Sequence, residues 1–574
     1  MSDPITTISS LLAPVFADLN GGEAADPTVR PSDRADAQVN GALPLAKRLG
    51  SNPRELAQQV VESGALDDVA SEVEVAGPGF INVTLSDDFL AREVGDVSLD
   101  ERLGVGEAAD PLTVVVDYSA PNVAKEMHIG HIRTTVIGDA LVRLLEFVGH
   151  RVIRENHIGD WGTPFGMLIE HLLDIGEDVE SSELSDLDSF YKSSSAAAAE
   201  SEEFQERARQ RVVALQSGEP ETIELWKRFV DISLVHINDI YAQLGVTLTD
   251  DDLMGESAYQ PLMPGVIERL DEAGLLQESD GADVVFPPGF ENRDGQPLPL
   301  IVQKGAGGFN YATSDLACVI DRVERLDADL MLYVIDAGQS THLQMVFKVS
   351  EMAGWLDGSR KAVHVQFGVI LDESRKRMRS RSGEPVTLKS VLDEAELRAA
   401  DAIEQRNPDL DAAARTELAH TIGIGAIKYS ELSTDRTKDY VFDWDRMLSF
   451  DGNTAPYLQY AHARICSIFR RADIDRESVR GAELHLTAPQ ERALALRLLA
   501  YPSAIESTLE THSPHKLCTY VYELATDFTA FYEHCPVLKA DEPIRTSRLA
   551  FADLTARVLA HALDLLGIEA PDRM

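Results

Sequence analysis

The stretch from residue 112 to 160 constrains the fold more than any other part of this 574-residue chain. LTVVVDYS (112–119) is a β-branched run that ends in small and polar residues, which predicts a strand buried on both faces of a parallel sheet. A loop, APNVAKEMHIGH, follows it. IRTTVIGDALVRLLEFVGH then places apolar residues at helical spacing and closes near Gly149. RVIRENHIGD (151–160) opens as a second strand. Strand, loop, helix, strand in that order is the opening of a doubly wound α/β domain.

The rest of the chain is organised around that block. Residues 1–105 mix helical stretches with one strand-like segment, GPGFINVTL (77–85), where Pro78 and Gly79 mark a turn before apolar/polar alternation. Residues 176–220 are rich in Glu, Ser and Ala and predict an acidic helical insertion with solvated faces. Strand signals return in ADVVFP, LPLIVQKG, DLMLYVIDAG and VHVQFGVIL, within 282–371, interleaved with helical segments. The α/β domain is therefore expected to be split, with its second half at about 280–395. From about 400 onward strand alternation disappears, and long amphipathic stretches predict a helical bundle. The expected domains are 1–108 (α+β), 109–400 (a doubly wound, Rossmann-type α/β domain) and 401–574 (all-α).

Composition excludes several classes. At roughly 100–200 residues per domain the length suits about three to five domains. Hydrophobic residues make up 44% and charged residues 26%, which excludes wholesale disorder. No apolar run reaches the roughly 18 residues that span a bilayer, and no basic stretch followed by an apolar one opens the chain. A membrane protein or secreted precursor is not expected, and the expected location is the cytoplasm. The four cysteines, Cys318, Cys466, Cys518 and Cys535, contain no CxxC pair, which argues against a disulfide framework and against a cysteine-based zinc site. The net charge is −44, and 39 of the 52 basic residues are Arg against 13 Lys. An acidic, Lys-poor surface fits work in concentrated salt, where the Debye length shrinks to about 3 Å at about 1 M and self-repulsion is screened. Avoidance of nucleic acid is the competing account of the same charge, because net charge does not reveal a local basic groove.

Two motifs carry chemistry. His128-Ile129-Gly130-His131 stands at a helix start just after the buried strand. A helix N-terminus offers free N–H groups and a positive dipole end to phosphate, and imidazoles can bond phosphate oxygens at a transition state. Two ordinary polar residues at a helix start is the plainer account of a bare HxGH. The strand ahead of it and the loop Pro121-Asn122-Val123-Ala124-Lys125 shift the balance toward ATP chemistry. The second motif is Arg375-Lys376-Arg377-Met378-Arg379-Ser380-Arg381-Ser382-Gly383, where five of the seven positions 375–381 are basic. A solvated charge run is the alternative, but in so acidic a chain a basic loop suits a clamp on departing pyrophosphate.

Together these segments resemble the class I aminoacyl-tRNA synthetases, and among them the arginyl-tRNA synthetases. HIGH (128–131) matches the first class signature unaltered. The family's SPN-x-AK segment appears as Ala120-Pro121-Asn122-Val123-Ala124-Lys125. NHIGDWGTPFGMLIEHL (156–172), YATSDLA (311–317), YVIDAGQSTHLQMVF (333–347), DGNTAPYLQYAHARICSI (451–468) and the terminal APDRM are similar to the arginine enzyme as well. The second class signature, KMSKS, is replaced by Arg377-Met378-Arg379-Ser380-Arg381. The resemblance implies that Lys125, three residues before His128, takes over from the motif's second lysine.

The implied activity is ATP-dependent ligation of arginine to tRNA(Arg) through arginyl-adenylate, with activation requiring bound tRNA. Implied roles are catalysis by Lys125, His128, His131, Arg377 and Arg381, and ATP binding by His128, Gly130, His131 and Met378. Tyr311, Asp315 and Gln339 are implied at the guanidinium end of arginine, and Asp117 and Asn122 at its α-amino and carboxylate end. Phe80 and Asn82 match positions that contact the tRNA elbow. Tyr457 and Tyr460 sit on the first C-terminal helix, where base stacking and core packing are both open. Magnesium is expected to accompany ATP through its phosphates, with no dedicated protein metal site. The expected partners are tRNA(Arg), arginine and ATP, with no membrane and a monomeric state. Two other classes share parts of the pattern: an HxGH small-molecule adenylyltransferase, and an inactive synthetase-like RNA-binding protein. The helical C-terminal domain and the chain length count against the first, and the intact histidines with Lys125 against the second.

Overall fold

A computed structural model describes residues 3–123, 125–176, 187–305, 308–379 and 386–574. The chain divides into two compact units, Met1–Glu107 together with Ser449–Met574, and Ala108–Leu448.

The N-terminal part of the first unit begins with α1 (Pro4–Leu19), capped by the Asp3 carboxylate, which accepts from the Thr6 amide at 2.9 Å. Ile8, Leu12 and Phe16, spaced by four, form its buried stripe. An antiparallel sheet follows, β1 (Val29–Pro31), β2 (Ala37–Val39), β3 (Ala70–Ala76) and β4 (Phe80–Leu85), in the order β1-β2-β4-β3. Ile81, Val83 and Leu85 of β4 face the core, so period-two alternation turns Phe80 and Asn82 to the other face.

The second unit is built on a four-stranded parallel sheet in the order β11-β10-β5-β6. β5 (Thr113–Asp117) and β6 (Arg151–Glu155) flank α2 (Gly130–Phe147), as the β-branched run and helical spacing predict. Val114, Val115 and Val116 are fully buried. Helix and strand pack closely because Gly138 has no side chain: a Cβ there would lie 2.3 Å from the Tyr118 ring.

Residues 187–244 of the acidic stretch and its continuation form helices. After α3 (Thr163–Ile175) come α4 (Leu187–Glu200), α5 (Glu202–Gln216) and α6 (Pro220–Leu244). Residues 177–186 of the expected insertion lie outside the described residues. The expectation of solvated faces is only partly met. Phe190, Phe204 and Leu215 are buried, and Arg211 bonds the buried Glu170 of α3 at 2.7 Å. The helices therefore pack as a layer with a core of their own.

Of the strand signals in 282–371, only β10 (Leu330–Tyr333) and β11 (Lys361–His364) extend the parallel sheet. β7 (Gln277–Ser279), β8 (Ala282–Val285) and β9 (Leu300–Gln303) make a separate antiparallel sheet. The Asp280-Gly281 turn explains the first pairing, since both residues have positive φ (52° and 74°), which directs the chain into a hairpin. β8 and β9 lack the helical crossover that parallel strands need. α7 (Tyr311–Glu324) leads into β10 and α8 (Ser340–Met352) follows it.

β12 (Ile370–Leu371), just before the basic loop, pairs in parallel with β13 (Tyr440–Val441), so strand structure does reach past residue 400. Between them lie α9 (Leu388–Arg406) and α10 (Ala412–Ser433). The expected boundary near 400 marks where helices take over, whereas the compact units divide at 448/449. α10 explains the difference. Its residues from Thr421 to Leu432 are almost wholly buried, and Glu431 pairs with Arg133 of α2 at 3.2 Å.

The first unit is completed by α11 (Ala455–Ala472), α12 (Pro489–Leu499), α13 (His515–His534) and α14 (Ile544–Leu565). Arg492 of α12 ties these helices to the N-terminal sheet region, reaching Asp36 at 2.6 Å and Asp87 at 3.0 Å. No described helix is long and apolar enough to cross a membrane.

Candidate active site

Two cavities in the second unit gather six of the sequence-predicted residues, Tyr311 and Asp315 in one and His128, Gly130, Arg377 and Met378 in the other. The larger, about 660 Å³, is lined by His157, Trp161, Glu256, Tyr311, Ser314 and Asp315 among others. Asn310 starts α7 by accepting from the Ala312 amide at 3.1 Å. That cap fixes Tyr311 in the first turn and Asp315 one turn later on the same face, as their spacing predicts. Tyr311 is 65% exposed at the cavity mouth. The Asp315 carboxylate is fixed by His342 of α8, whose Nε2 lies 2.5 Å from Oδ2. The His342 ring also packs on Tyr311, with centroids 4.5 Å apart. Gln339 is exposed in the turn Ala337–Gln339 that leads into α8 and stands outside this lining.

Glu256 and His342 were not legible as site residues. Glu256 lies 55 positions before Tyr311 in an unremarkable GESAY segment, and only the fold brings the two to one cavity. Burial raises the Glu256 carboxyl above its ordinary range; His157 opposes the shift, and Asp160 and Asp315 add to it. Two carboxylates and flat aromatic walls suit a planar cation. A cation bound to ionised Glu256 is lost when that group takes up a proton. If the cavity takes the arginine that the sequence resemblance implies, binding should weaken as pH falls, with a midpoint above that of an ordinary glutamate. Glu256→Gln should bind more weakly and lose this acid limb. Calorimetry of arginine binding across pH checks it, and an identical limb in the variant would contradict it.

At the C-terminal ends of β5 and β6, Asp117 and Glu155 stand side by side in register. Two buried carboxylates so placed repel, and Arg322 of α7 bonds both and offsets one of the two charges. Its Nη2 donates to Asp117 Oδ2 at 2.7 Å and its Nε to Glu155 Oε2 at 2.6 Å. The guanidinium is fully buried against the Tyr333 ring, 4.7 Å from its centroid. One oxygen of Asp117 is thus committed inside the fold, and Oδ1 makes no hydrogen bond. Arg322→Met should cost about 3–5 kcal/mol at neutral pH, the usual loss when a buried pair is broken. Chemical unfolding of the full chain measures it, and a loss under about 0.5 kcal/mol, the range of ordinary surface substitutions, would contradict it. Asn122 is exposed in the loop after β5, against Gly159, where a Cβ would lie 2.4 Å from its Oδ1.

The second cavity, about 280 Å³, joins the two signature motifs: His128, Gly130 and Arg133 line it together with Arg377, Met378 and Arg379. Backbone bonds hold the basic segment there from both ends. The Met378 amide donates to Ile370 O of β12 at 3.3 Å. Past the loop, Ile129 N donates to Val386 O at 2.9 Å and Leu388 N to Met127 O at 2.8 Å. Arg381 lies outside the described residues. His131 stands in the first turn of α2, and His128 precedes the helix with its ring centroid 4.0 Å from that of His131. The Gly130 amide donates to His128 Nδ1 at 3.0 Å, which leaves the proton of the neutral ring on Nε2. Gly130 makes this fold-back possible, since a Cβ would lie 2.8 Å from the His128 ring. Burial, with His128 beside it, pushes the His131 imidazole down to about 3, and burial also lowers His128. Both rings are therefore neutral at physiological pH in the unliganded chain, where each can offer a hydrogen bond rather than a charge.

Lys125 stands apart from that cavity. Its ammonium rests over the Tyr191 ring of α4, 4.5 Å from the centroid, and it lines a smaller cavity with Met127, His236 and Thr387.

In the first unit, Asn82 accepts from Gln38 Nε2 at 2.9 Å, and Phe80 is half-buried at the start of β4. On α11, Tyr460 is 47% exposed, while Tyr457 is half-buried with its ring 5.8 Å from Tyr522.

Three family models match the chain. Residues 93–444 match the catalytic domain of class I (R) tRNA synthetases, 458–574 the DALR anticodon binding domain, and 6–85 the arginyl tRNA synthetase N terminal domain. The arginine–tRNA ligase of Thermobifida fusca is 51% identical over 100% of both chains, and that of Escherichia coli K12 is 48% identical over 96% of both. Among solved structures, the Plasmodium falciparum arginyl-tRNA synthetase superposes with a TM-score of 0.87 at 29% identity over 99% of both chains. The Thermus thermophilus enzyme gives 0.83 at 26% identity over 100% of both.

Proposed function

The chain belongs to the class I arginyl-tRNA synthetases, and on that premise we propose how its residues share the work. It ligates arginine to tRNA with ATP through arginyl-adenylate. In the first step the arginine carboxylate attacks the α-phosphorus and pyrophosphate leaves. In the second a terminal ribose hydroxyl of the tRNA attacks the mixed anhydride and AMP leaves.

The larger cavity takes arginine. The convergence of Asp315, Glu256 and Tyr311 on one cavity supports this reading most directly. Asp315, held by His342, and Glu256 face the guanidinium, with Tyr311 over the mouth and Gln339 nearby. Asp117, through its uncommitted Oδ1, and Asn122 serve the α-amino and carboxylate end. The smaller cavity takes ATP. His128 and His131 donate to phosphate oxygens, Met378 and Gly130 border the nucleotide, and Arg377 with Arg381 draws charge from the leaving pyrophosphate. Lys125 reaches the α-phosphate by leaving Tyr191 on its flexible four-carbon stem.

Magnesium enters with ATP. The described lining of this cavity is basic, and the one carboxylate among its described residues, Asp336, caps the following turn by accepting from the Gly338 amide at 2.8 Å. That donor set fits a metal held by phosphates rather than by a protein cage. Phe80 and Asn82 contact the body of the tRNA, and Tyr457 and Tyr460 offer stacking faces to its bases. We place the enzyme in the cytoplasm as a monomer, which light scattering at working concentration tests.

The −44 charge is read as salt adaptation. At low salt that charge repels both itself and the tRNA, and at about 1 M most of the repulsion is screened. Counterion release works the other way, weakening RNA contacts as salt rises. The charging rate should rise from about 0.1 M toward molar KCl before it falls, because 44 excess acidic residues outnumber the roughly ten or fewer phosphate contacts expected. Circular dichroism in the same titration separates this from low-salt unfolding. Fastest charging by folded enzyme at the low-salt end would remove the salt-adaptation reading and leave the activity untouched.

A further inference from the structure

Glu256 reaches the larger cavity on a segment that carries no regular strand or long helix, so something else must hold it there. Asp252–Glu256 runs beside Asn156–Ile158 in a short parallel pairing. The Asn156 amide donates to Asp252 O at 2.8 Å, the Met254 amide to Asn156 O at 3.0 Å and the Glu256 amide to Ile158 O at 3.1 Å. The chain then enters the single helical turn Glu256–Tyr259. The Asp160 carboxylate closes that turn. Its Oδ1 accepts from the Ser257 amide at 2.9 Å and its Oδ2 from the Ser257 hydroxyl at 2.6 Å.

Asp160 is buried, and it is not among the described residues that line the cavity. Its own backbone is fixed by Trp226 of α6, whose Nε1 donates to Asp160 O at 2.7 Å. Trp226 in turn packs edge-on against Trp161 of the cavity wall, with centroids 5.9 Å apart. Gly255 lets the two segments meet, since a Cβ there would lie 2.3 Å from Asp160 Oδ2. Its φ of −69° suits any residue, so the close approach alone calls for glycine. Charge joins the two carboxylates as well. Burial raises Glu256 most, His157 opposes the shift, and Asp160 and Asp315 add to it. Burial also raises Asp160, against the two Ser257 bonds and His157.

We propose that Asp160 is a positioning residue for arginine binding: by holding Ser257 through both its amide and its hydroxyl, it fixes the Glu256 carboxylate at the cavity wall. This rests on the reading that the larger cavity takes arginine. An oriented carboxylate needs no reordering when the guanidinium arrives, so the cost of fixing it is met in folding and not in binding. The charge of Asp160 has a second effect, because it makes Glu256 take up its proton, and binding fail, at a higher pH than it otherwise would. The sequence conceals the link, since Ser257 lies 97 positions from Asp160.

The test is calorimetry of arginine binding across pH with the full-length chain, alongside the ATP KM and circular dichroism. Asp160→Ala removes both bonds and should weaken arginine binding about tenfold or more at neutral pH, with the ATP KM unchanged. Gly255→Ala pushes a methyl group against Oδ2 with every polar group kept, and should act in the same direction. Asp160→Asn retains an acceptor for the Ser257 amide and a donor for its hydroxyl. It should restore affinity to within about two- to threefold of wild type, the scale of ordinary surface substitutions, and move the acid limb to lower pH. That shift separates the proposal from a merely structural role. Should Asp160→Ala fail to fold, the other two variants decide. Wild-type affinity in Asp160→Ala and Gly255→Ala, an acid limb that stays in place in Asp160→Asn, or an ATP KM that rises in step with the arginine constant would overturn the proposal and leave the cavity reading standing, provided Glu256→Gln still weakens binding. Glu256→Gln that binds arginine as wild type does would remove the cavity reading and the proposal with it.

Discussion

Replacing Asp315 by alanine should raise the arginine KM by orders of magnitude and leave the ATP KM nearly unchanged. A guanidinium brought out of water and left without its carboxylate loses about 3–5 kcal/mol, the usual cost of breaking a desolvated pair. At 1.4 kcal/mol per factor of ten, that is roughly a hundredfold to a few thousandfold in kcat/KM for arginine. His342 sharpens the expectation. It holds one Asp315 oxygen at 2.5 Å, so the carboxylate is oriented before substrate arrives, and alanine removes both the charge and that orientation. Asp315→Asn keeps the shape without the charge and should recover little. Steady-state kinetics over arginine concentration measures it, and a KM within threefold of wild type would remove Asp315 from the guanidinium site.

Lys125→Met should act on rate instead of affinity. The ammonium is proposed to bond the α-phosphate only as it becomes pentacoordinate, and an interaction made only in the transition state appears in kcat. Loss of one such donor commonly costs about a hundredfold to a thousandfold. Lys125 rests on Tyr191 and does not line the cavity of the histidines, so it is expected to contribute little to the ground-state ATP complex. Activation should slow by about that factor with an almost unchanged ATP KM, since binding is left to other residues. An unchanged kcat with a raised ATP KM would show that the lysine holds nucleotide without assisting its reaction.

How much of this could be read in the sequence depended on how local the signal was. Val114–Val116 and the helix behind HIGH declare themselves because burial on both faces and helical spacing are properties of short windows. Tyr311 and Asp315 were named by the family resemblance, and their four-residue spacing then puts them on one helix face. The fate of β8 and β9 was less visible. Their strand character is local, but whether they join the parallel sheet depends on crossovers, and the Asp280-Gly281 hairpin sets them apart. Glu256 and Tyr191 carry no motif of their own, His342 has no distinguishing mark within the family-like segment 333–347, and only tertiary packing brings the three beside the predicted site residues. The opposite happened at Asp117. Its position at the end of β5 was readable, but its partner Arg322 lies 205 residues away, so its buried ion pair was not. The division at 448/449 escaped composition because α9 and α10 are helical like the terminal bundle but are packed into the other unit.

The central claim is that this chain activates arginine alone among the amino acids and transfers it to tRNA. Pyrophosphate release, measured with each amino acid separately and with or without tRNA in low and molar KCl, tests that claim most directly. Release should occur with arginine only, should depend on the presence of tRNA, and should be matched by arginine esterified to tRNA. Release with a different amino acid, or with no amino acid able to produce it while the chain is folded, would contradict the account.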